Sequence, residues 1–537
     1  MKIMKLFYNI SAAVILVGAV LTACTKLDLE PQGSTITSAQ KEAVVAANPQ
    51  MVSASVSGIF TMFSVYMNAN PGYSRHNDFG YGALMLFMDT RGTDLVGDDI
   101  GYNWFSYGLD MMSDHRYNSL ITQNFWNTMY NQIYTANQVI AIMDPETEDS
   151  VAQYYLAQAL AVRAFDYFNL AQMYQHTYIG HESLPCVPLI LDTNADQAAA
   201  EGAARNSVQE VYDQIVKDID LAVSLLEKTG ETRPDKRYVS LAVAKGLRAR
   251  IRLVMHDYAG AAADAKDVIE SGEATPKSFA NASKPTFKSM DEEDWLWGIK
   301  IAETDRVVTS GIVNWPSHMG SLNYGYASVG AWRKVNIKLW NSIPSSDCRK
   351  GWFLDADSMS PNLSAEQQDY VINDAGCPGY TQVKFAPYGD ELYTSTNAND
   401  IPLMRIEEMY LILAEAQAET GKAADGCKTL QDFVTTYRNP AYNFESSSKD
   451  AVVNEAFLQR RIELWGEGLS YFDIQRRNKG FDRRGGGFEE EFVFIIQPED
   501  PILIFQIPDS EIQANKLISA EDNNPGATTP TPVPDEQ

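Results

Sequence analysis

Residues 238–270 read YVSLAVAKGLRARIRLVMHDYAGAAADAKDVIE. Apolar positions three and four apart mark two amphipathic helices, Tyr238 to Met255 and Tyr258 to Glu270. Small residues at Ala249, Ala261 and Ala265 let the two pack closely, with Tyr258 opening the second. The same texture extends outward in both directions. Downstream, Met404 to Thr420 and Gly426 to Tyr437 form another such pair, with Gly421 as C-cap of the first. Ala451 to Arg477 is a last long helical stretch, interrupted at Gly466-Glu467-Gly468. Upstream, Trp126, Met129, Ile133, Ala136, Val139, Ile140 and Met143 predict a helix over Phe125 to Met143, which Asp144-Pro145 ends. Val151 to Tyr174 follows. Ser207 to Leu226 then starts with a capping-box pattern, Ser207 with Glu210 three residues on.

The helix pairs resemble degenerate tetratricopeptide repeats, and their number predicts an all-α, tetratricopeptide-repeat-like helical array. Two segments are of different material. Residues 70–114 and 271–400 are rich in Ser, Asn, Gly, Pro and aromatics and hold no sustained period. Long irregular insertions of this kind inside a compact domain are usually functional. The chain of 537 residues is long enough for a large core, and its 45% hydrophobic and 21% charged composition is that of a globular protein. With 43 Lys and Arg against 70 Asp and Glu, the net charge is -27. That excludes nucleic acid as a partner, because phosphate neutralisation needs clustered cations.

The N-terminus carries an export signal. Lys2 and Lys5 precede an apolar run from Ile10 to Leu21, too short to span a bilayer. Leu21-Thr22-Ala23-Cys24 resembles a bacterial lipobox, with Cys24 as the lipidated residue; the alternative is an ordinary secretory signal with an incidental Cys. The predicted organisation is a signal peptide over 1–23, the lipidated Cys and a tether over 24–38, a helical domain over 39–524 carrying both insertions, and a disordered Pro/Thr-rich tail over 525–537. Of the other cysteines, Cys348 and Cys377 flank a loop-rich stretch and are the pair that could join; the other reading is buried free thiols, for them as for Cys186 and Cys427.

No catalytic constellation stands out: HExxH, GxSxG, P-loop and GxGxxG patterns are absent, and no catalytic residue, cofactor or metal is assigned. His176 and His181 are a poor metal signal, and Asp94, Asp98 and Asp99 read as a solvated acidic loop before they read as a Ca²⁺ site. Arg460, Arg461, Glu463, Glu467, Asp473, Arg476 and Arg477 form a dense charge cluster, read as an ion-pair network clamping helix to helix. The aromatics of the insertions are more suggestive. Tyr102, Trp104, Phe105 and Tyr107 lie in the first, and Trp295, Trp297, Trp315, Tyr324, Tyr326, Trp332 and Trp340 in the second. Flat rings flanked by Asn, Asp and Arg suit stacking on the C–H face of a pyranose, and equally suit peptide backbones.

Six segments carry a wider resemblance: FWNTMYNQIYTANQVI (125–140), LAQALAVRAFDYFNLAQMY (156–174), EVYDQIVKDIDLAVSLLE (210–227), IPLMRIEEMYLILAEAQAETG (401–421), RRIELWGEGLSYFDIQRR (460–477) and FQIPDSEIQAN (505–515). In this order, after a lipobox, they resemble the SusD/RagB nutrient-binding outer-membrane lipoproteins of Bacteroidetes. The resemblance implies a helical array with large ligand-binding insertions, no enzymatic activity, and a place on the cell surface beside a SusC-like TonB-dependent transporter. It implies capture of an oligosaccharide, or alternatively a peptide, for delivery to that transporter. The distinctive helical motifs would be scaffold. By position, the ligand residues it implies are Arg91, Tyr102, Asn103 and Trp104 in the early loop, then Trp315, Tyr324, Tyr326 and Trp332 in the central insertion.

Overall fold

The computed structural model describes residues 38–67, 75–98 and 105–536. The signal segment, Cys24, and the loop residues Asp99, Tyr102, Asn103 and Trp104 lie outside these described residues.

Helices dominate, and most lie where periodicity places them. Leu241–Val254 and Tyr258–Glu270 form one close pair, capped by Ser240 and Asp257, whose side chains accept from Val243 N and Gly260 N. His256, in the left-handed region at φ 59°, makes the turn between them. Ala249, Ala261 and Ala265 are fully buried, so the two backbones approach closely, and Arg248 locks them with two bonds to Asp264 at 2.9 and 2.7 Å. The Ser207/Glu210 capping box is formed and starts Val208–Thr229. Leu120–Ile140 and Val208–Thr229 flank Ser150–Tyr174, and Leu241–Val254 packs on Val208–Thr229. Tyr258–Glu270 packs on Ile406–Glu419, which also carries Ala423–Tyr437 and Lys449–Glu463. The result is the all-α repeat-like array, with three two-stranded sheets among the described residues set into it. Among the described residues, no single helix is long and apolar enough to cross a membrane.

Three expectations are corrected. Residues 70–114 are not irregular throughout: Tyr81–Arg91 is an α-helix with every residue buried. A helix enclosed on all sides has no polar face, so no amphipathic period announces it. Met404 and Arg405 are not helical. They end the buried strand Ile401–Arg405, which pairs antiparallel with Trp295–Ile299, and the helix begins at Ile406. The tail, read as disordered, is tied to the body through residue 536: Val533 N donates to Val493 O at 2.8 Å, and Ala527 N to His115 Nε2 at 3.1 Å. Cys186, Cys348, Cys377 and Cys427 are buried free thiols, so Cys348 and Cys377 are not joined.

The charge cluster clamps helices. Glu463 is fully buried and bonds Arg438 Nε at 2.8 Å, Arg405 Nη1 at 3.1 Å and Arg349 Nη1 at 3.2 Å. Glu467 holds Arg405 and Lys384, both at 2.7 Å. Arg460 pairs with Asp473 at 2.9 Å, and Arg476 grips Glu415 through two bonds of 2.6 and 2.8 Å. The two helices of this segment, Lys449–Glu463 and Ser470–Arg476, are separated by Gly466 and Gly468 at φ 77° and 74°. A Cβ on Gly468 would sit 2.8 Å from Met85, so the clamp also fixes the buried Tyr81–Arg91 helix.

Asp94 belongs to the same clamp, not to a solvated loop. It is 3% exposed and accepts from Arg461 at 2.5 Å and Ser470 at 2.7 Å. Arg461→Ala is therefore expected to cost about 1.5–3 kcal/mol, because it strips a charged partner from a buried carboxylate. Thermal unfolding should register the loss while ligand affinity holds; intact stability with lost binding would instead place Arg461 in a ligand site.

Candidate functional site

Two segments that are far apart in sequence meet in one short ribbon. Strand Leu95–Gly97 pairs antiparallel with Arg333–Val335, in the register Leu95↔Val335 and Gly97↔Arg333. Asp98 N donates to Trp332 O at 3.3 Å, and Asp98 bonds Lys334 Nζ at 2.6 Å. The early segment thus leaves the ribbon beside Trp332. It returns at Phe105, whose ring lies 4.9 Å from His318 and 4.5 Å from Phe87.

From this ribbon the central insertion builds an aromatic surface. Tyr326 stacks on His318 at 4.7 Å and 10°, and His318 stacks in turn on Phe79 at 5.7 Å and 10°. Burial and the neighbouring Arg333 guanidinium push the His318 pKa well below its usual value, so the sandwiched ring is neutral. Arg333 is fully buried, with its Nε donating to His318 O at 2.8 Å; burial, opposed by Asp98, lowers its pKa to about 10. Trp332 is half-buried against Leu322, Leu354, Tyr370, Val371, Cys377 and Val383, a small core belonging to the insertion itself.

The outermost rings are Tyr324 and Tyr393, 37% and 55% exposed. Backbone bonds fix them together: Tyr324 N donates to Thr394 O and Tyr393 N to Leu322 O, each at 2.9 Å. Their centroids are 5.1 Å apart at 69°. Tyr393 holds φ 61°, a left-handed conformation that costs a bulky L residue roughly 1–2 kcal/mol. Strain kept at an exposed aromatic points to use of the ring. Sequence reasoning missed Tyr393, because only the pairing of segments 322–324 and 393–394 brings it to the surface.

The structure brings Tyr324, Tyr326 and Trp332 into one region. It does not bring Arg91 or Trp315 there. Arg91 is fully buried at the end of Tyr81–Arg91, where it pairs with Asp114 at 3.0 Å, donates to Ile502 O at 2.6 Å, and lies over the rings of Tyr471 and Phe505. Trp315 is 2% exposed and packs edge-on against Phe385 at 4.9 Å. Trp295 and Trp297 are core residues of their strand. No group of three His, Cys, Asp or Glu side chains among the described residues is placed to hold a metal ion. His176 and His181 lie 5.4 Å apart, with Glu499 3.6 Å from His181 Nε2.

A helical array whose central insertion displays aromatic rings at its surface is suited to binding. The comparisons agree. Residues 93–253 match a family model described as starch-binding and associating with the outer membrane, and residues 353–526 match that of the SusD family. Together these matches span more than half of the sequence, and the chain belongs to the SusD/RagB family. A SusD-like protein of Formosa agariphila is 22% identical over 398 residues, covering 67% of this chain and 73% of the relative. A SusD-like carbohydrate binding protein from Bacteroides vulgatus shares the fold at TM-score 0.71 and 22% identity, over 88% of this chain and 97% of that one. Surface glycan-binding protein A from Bacteroides thetaiotaomicron, solved in complex with laminarihexaose, does so at TM-score 0.59 and 17% identity, over 87% and 98%.

Proposed function

We propose that the protein is a lipid-anchored nutrient-binding protein of the outer membrane that captures an oligosaccharide and delivers it to a SusC-like TonB-dependent transporter. Its anchor would be Cys24, its ligand surface the rings of Tyr324, Tyr393, Tyr326 and Trp332, and its role binding without catalysis. The observation that carries the reading is the ribbon between Leu95–Gly97 and Arg333–Val335, which sets the early loop's exit beside the central aromatics. Rings on an open surface suit the C–H faces of a glycan chain, and polar neighbours such as Lys334 and Asp98 suit its hydroxyls. Family membership and the laminarihexaose-bound structural neighbour support a carbohydrate over other ligands. Residues 102–104, on the loop that leaves beside Trp332, are proposed to extend the same surface.

A glycan array probed with the chain lacking residues 1–24, alongside a peptide pool, tests the reading. Trp332→Ala is expected to weaken binding of the glycan found by about 1–3 kcal/mol, by analogy with bases stacked on aromatic side chains. Unchanged affinity in a folded variant would remove Trp332 from the site, and a peptide hit without any glycan hit would overturn the carbohydrate assignment.

A further inference from the structure

The array itself carries a second, separate aromatic cleft. On Leu120–Ile140, Trp126, Tyr130 and Tyr134 recur every four residues and so share one face. They rise stepwise out of the core. Trp126 is buried, Tyr130 is half-buried with its ring 4.7 Å from Trp126 and its hydroxyl on Pro188 O at 2.7 Å, and Tyr134 is 60% exposed. Amides line the same stripe. Asn127 Oδ1 accepts from Gln123 Nε2 at 2.7 Å, and Asn131, whose Nδ2 lies 3.7 Å from Met67 Sδ, and Gln138 are exposed.

The facing wall is the helix Ala195–Glu201, which has no buried residue yet is held in place. Asn515 clamps Ala203 through both backbone groups, at 2.8 and 3.1 Å, and Lys516 Nζ donates to Ala200 O at 2.8 Å. Gly202 permits the approach: it sits at φ 86°, and a Cβ there would lie 2.4 Å from Asn515 Oδ1. Between the walls is a cleft of about 710 Å³, the size of a small-ligand site.

We propose that this cleft is a second carbohydrate-binding groove, taking a neutral oligosaccharide. Tyr134 supplies the ring for a pyranose face, the amides supply paired donors and acceptors for vicinal hydroxyls, and the alanines of the far wall leave room for the chain. Asp196 and Glu511 line the cleft, and the one cation among its described lining residues, Lys516, is spent on a backbone carbonyl, so an anionic ligand is disfavoured.

Calorimetric titration of the full chain with laminarihexaose and with maltohexaose tests this, in a Trp332→Ala, Tyr393→Ala background that weakens the surface proposed above. At least one oligosaccharide should still bind there, Tyr134→Ala should weaken it at least fivefold, and Tyr134→Phe should keep it. Absence of heat from both sugars at millimolar concentration, or identical isotherms with and without Tyr134→Ala, overturns the groove. A Tyr134→Ala variant that binds sugar normally but fails to capture the transporter also overturns it and makes the face a protein-docking surface.

Discussion

Glu463→Ala is expected to destabilise the protein by about 3–5 kcal/mol, the cost of breaking a buried ion pair from one side. The carboxylate has no access to solvent and faces the guanidinium groups of Arg349, Arg405 and Arg438. Its removal leaves three buried cations sharing Glu407, Glu467, Asp294 and Asp347. Lys428→Ala is the control. Lys428 and Asp432 also form an ion pair, but with 73% and 60% exposed side chains, so the expected cost is under about 0.5 kcal/mol. Urea titration of the two variants should separate them clearly; equal midpoints would show that the network is not the clamp.

Two carboxylates of the network set the sign of the response below about pH 5, whereas Glu407, which burial and Asp294 push up to about 7, acts above it. Burial alone would raise the Glu463 pKa, but Arg438, Arg405 and Arg349 outweigh it and hold the carboxyl well below the usual range. Asp473 is likewise lowered, with Arg460 and Arg476 outweighing its burial. A carboxylate depressed in the folded state contributes stability that is fully present above its unfolded pKa, near 4. That contribution drains away as the pH falls through the unfolded value toward the folded one. Wild type should therefore lose stability between about pH 5 and pH 2, and Glu463→Gln, already lacking this contribution, should lose less over the same interval.

What the sequence discloses follows from which groups face water. Tyr258–Glu270 and Val208–Thr229 each bury one face, so their periods and caps are legible to within three residues. Tyr81–Arg91 buries every face and leaves no pattern, and Arg91 looks like a surface ligand group only because its partners lie at Met111, Asp114, Tyr471 and Ile502. The charge cluster was readable as a clamp from its density alone, whereas its partners Arg405, Arg438 and Arg349 were not, since none is near it in sequence. In the central insertion, composition marks rings without distinguishing core from surface. Trp295, Trp297 and Trp315 are wholly internal, while Tyr324 remains accessible. Tyr393 emerges only from long-range backbone pairing that no local window contains.

That residue is the sharpest test of the proposed glycan surface. Tyr393→Ala is expected to lower oligosaccharide affinity by about 1–3 kcal/mol, and Tyr393→Phe to keep most of it, because the stacking face survives. Tyr324 touches Tyr393 ring to ring, so the double replacement should fall short of the sum of the single effects by about 0.5–1.5 kcal/mol. Tyr393→Gly separates function from folding. Glycine relieves the left-handed strain of roughly 1–2 kcal/mol but adds about 0.4–1 kcal/mol of unfolded-chain entropy. The ring is 55% exposed, so its removal forfeits little packing. Stability should therefore hold or rise slightly while binding falls as in Tyr393→Ala. A marked drop in unfolding temperature would mean that the ring serves the fold of the insertion. Undiminished affinity for the bound glycan would mean that the strain at this position has no part in ligand capture.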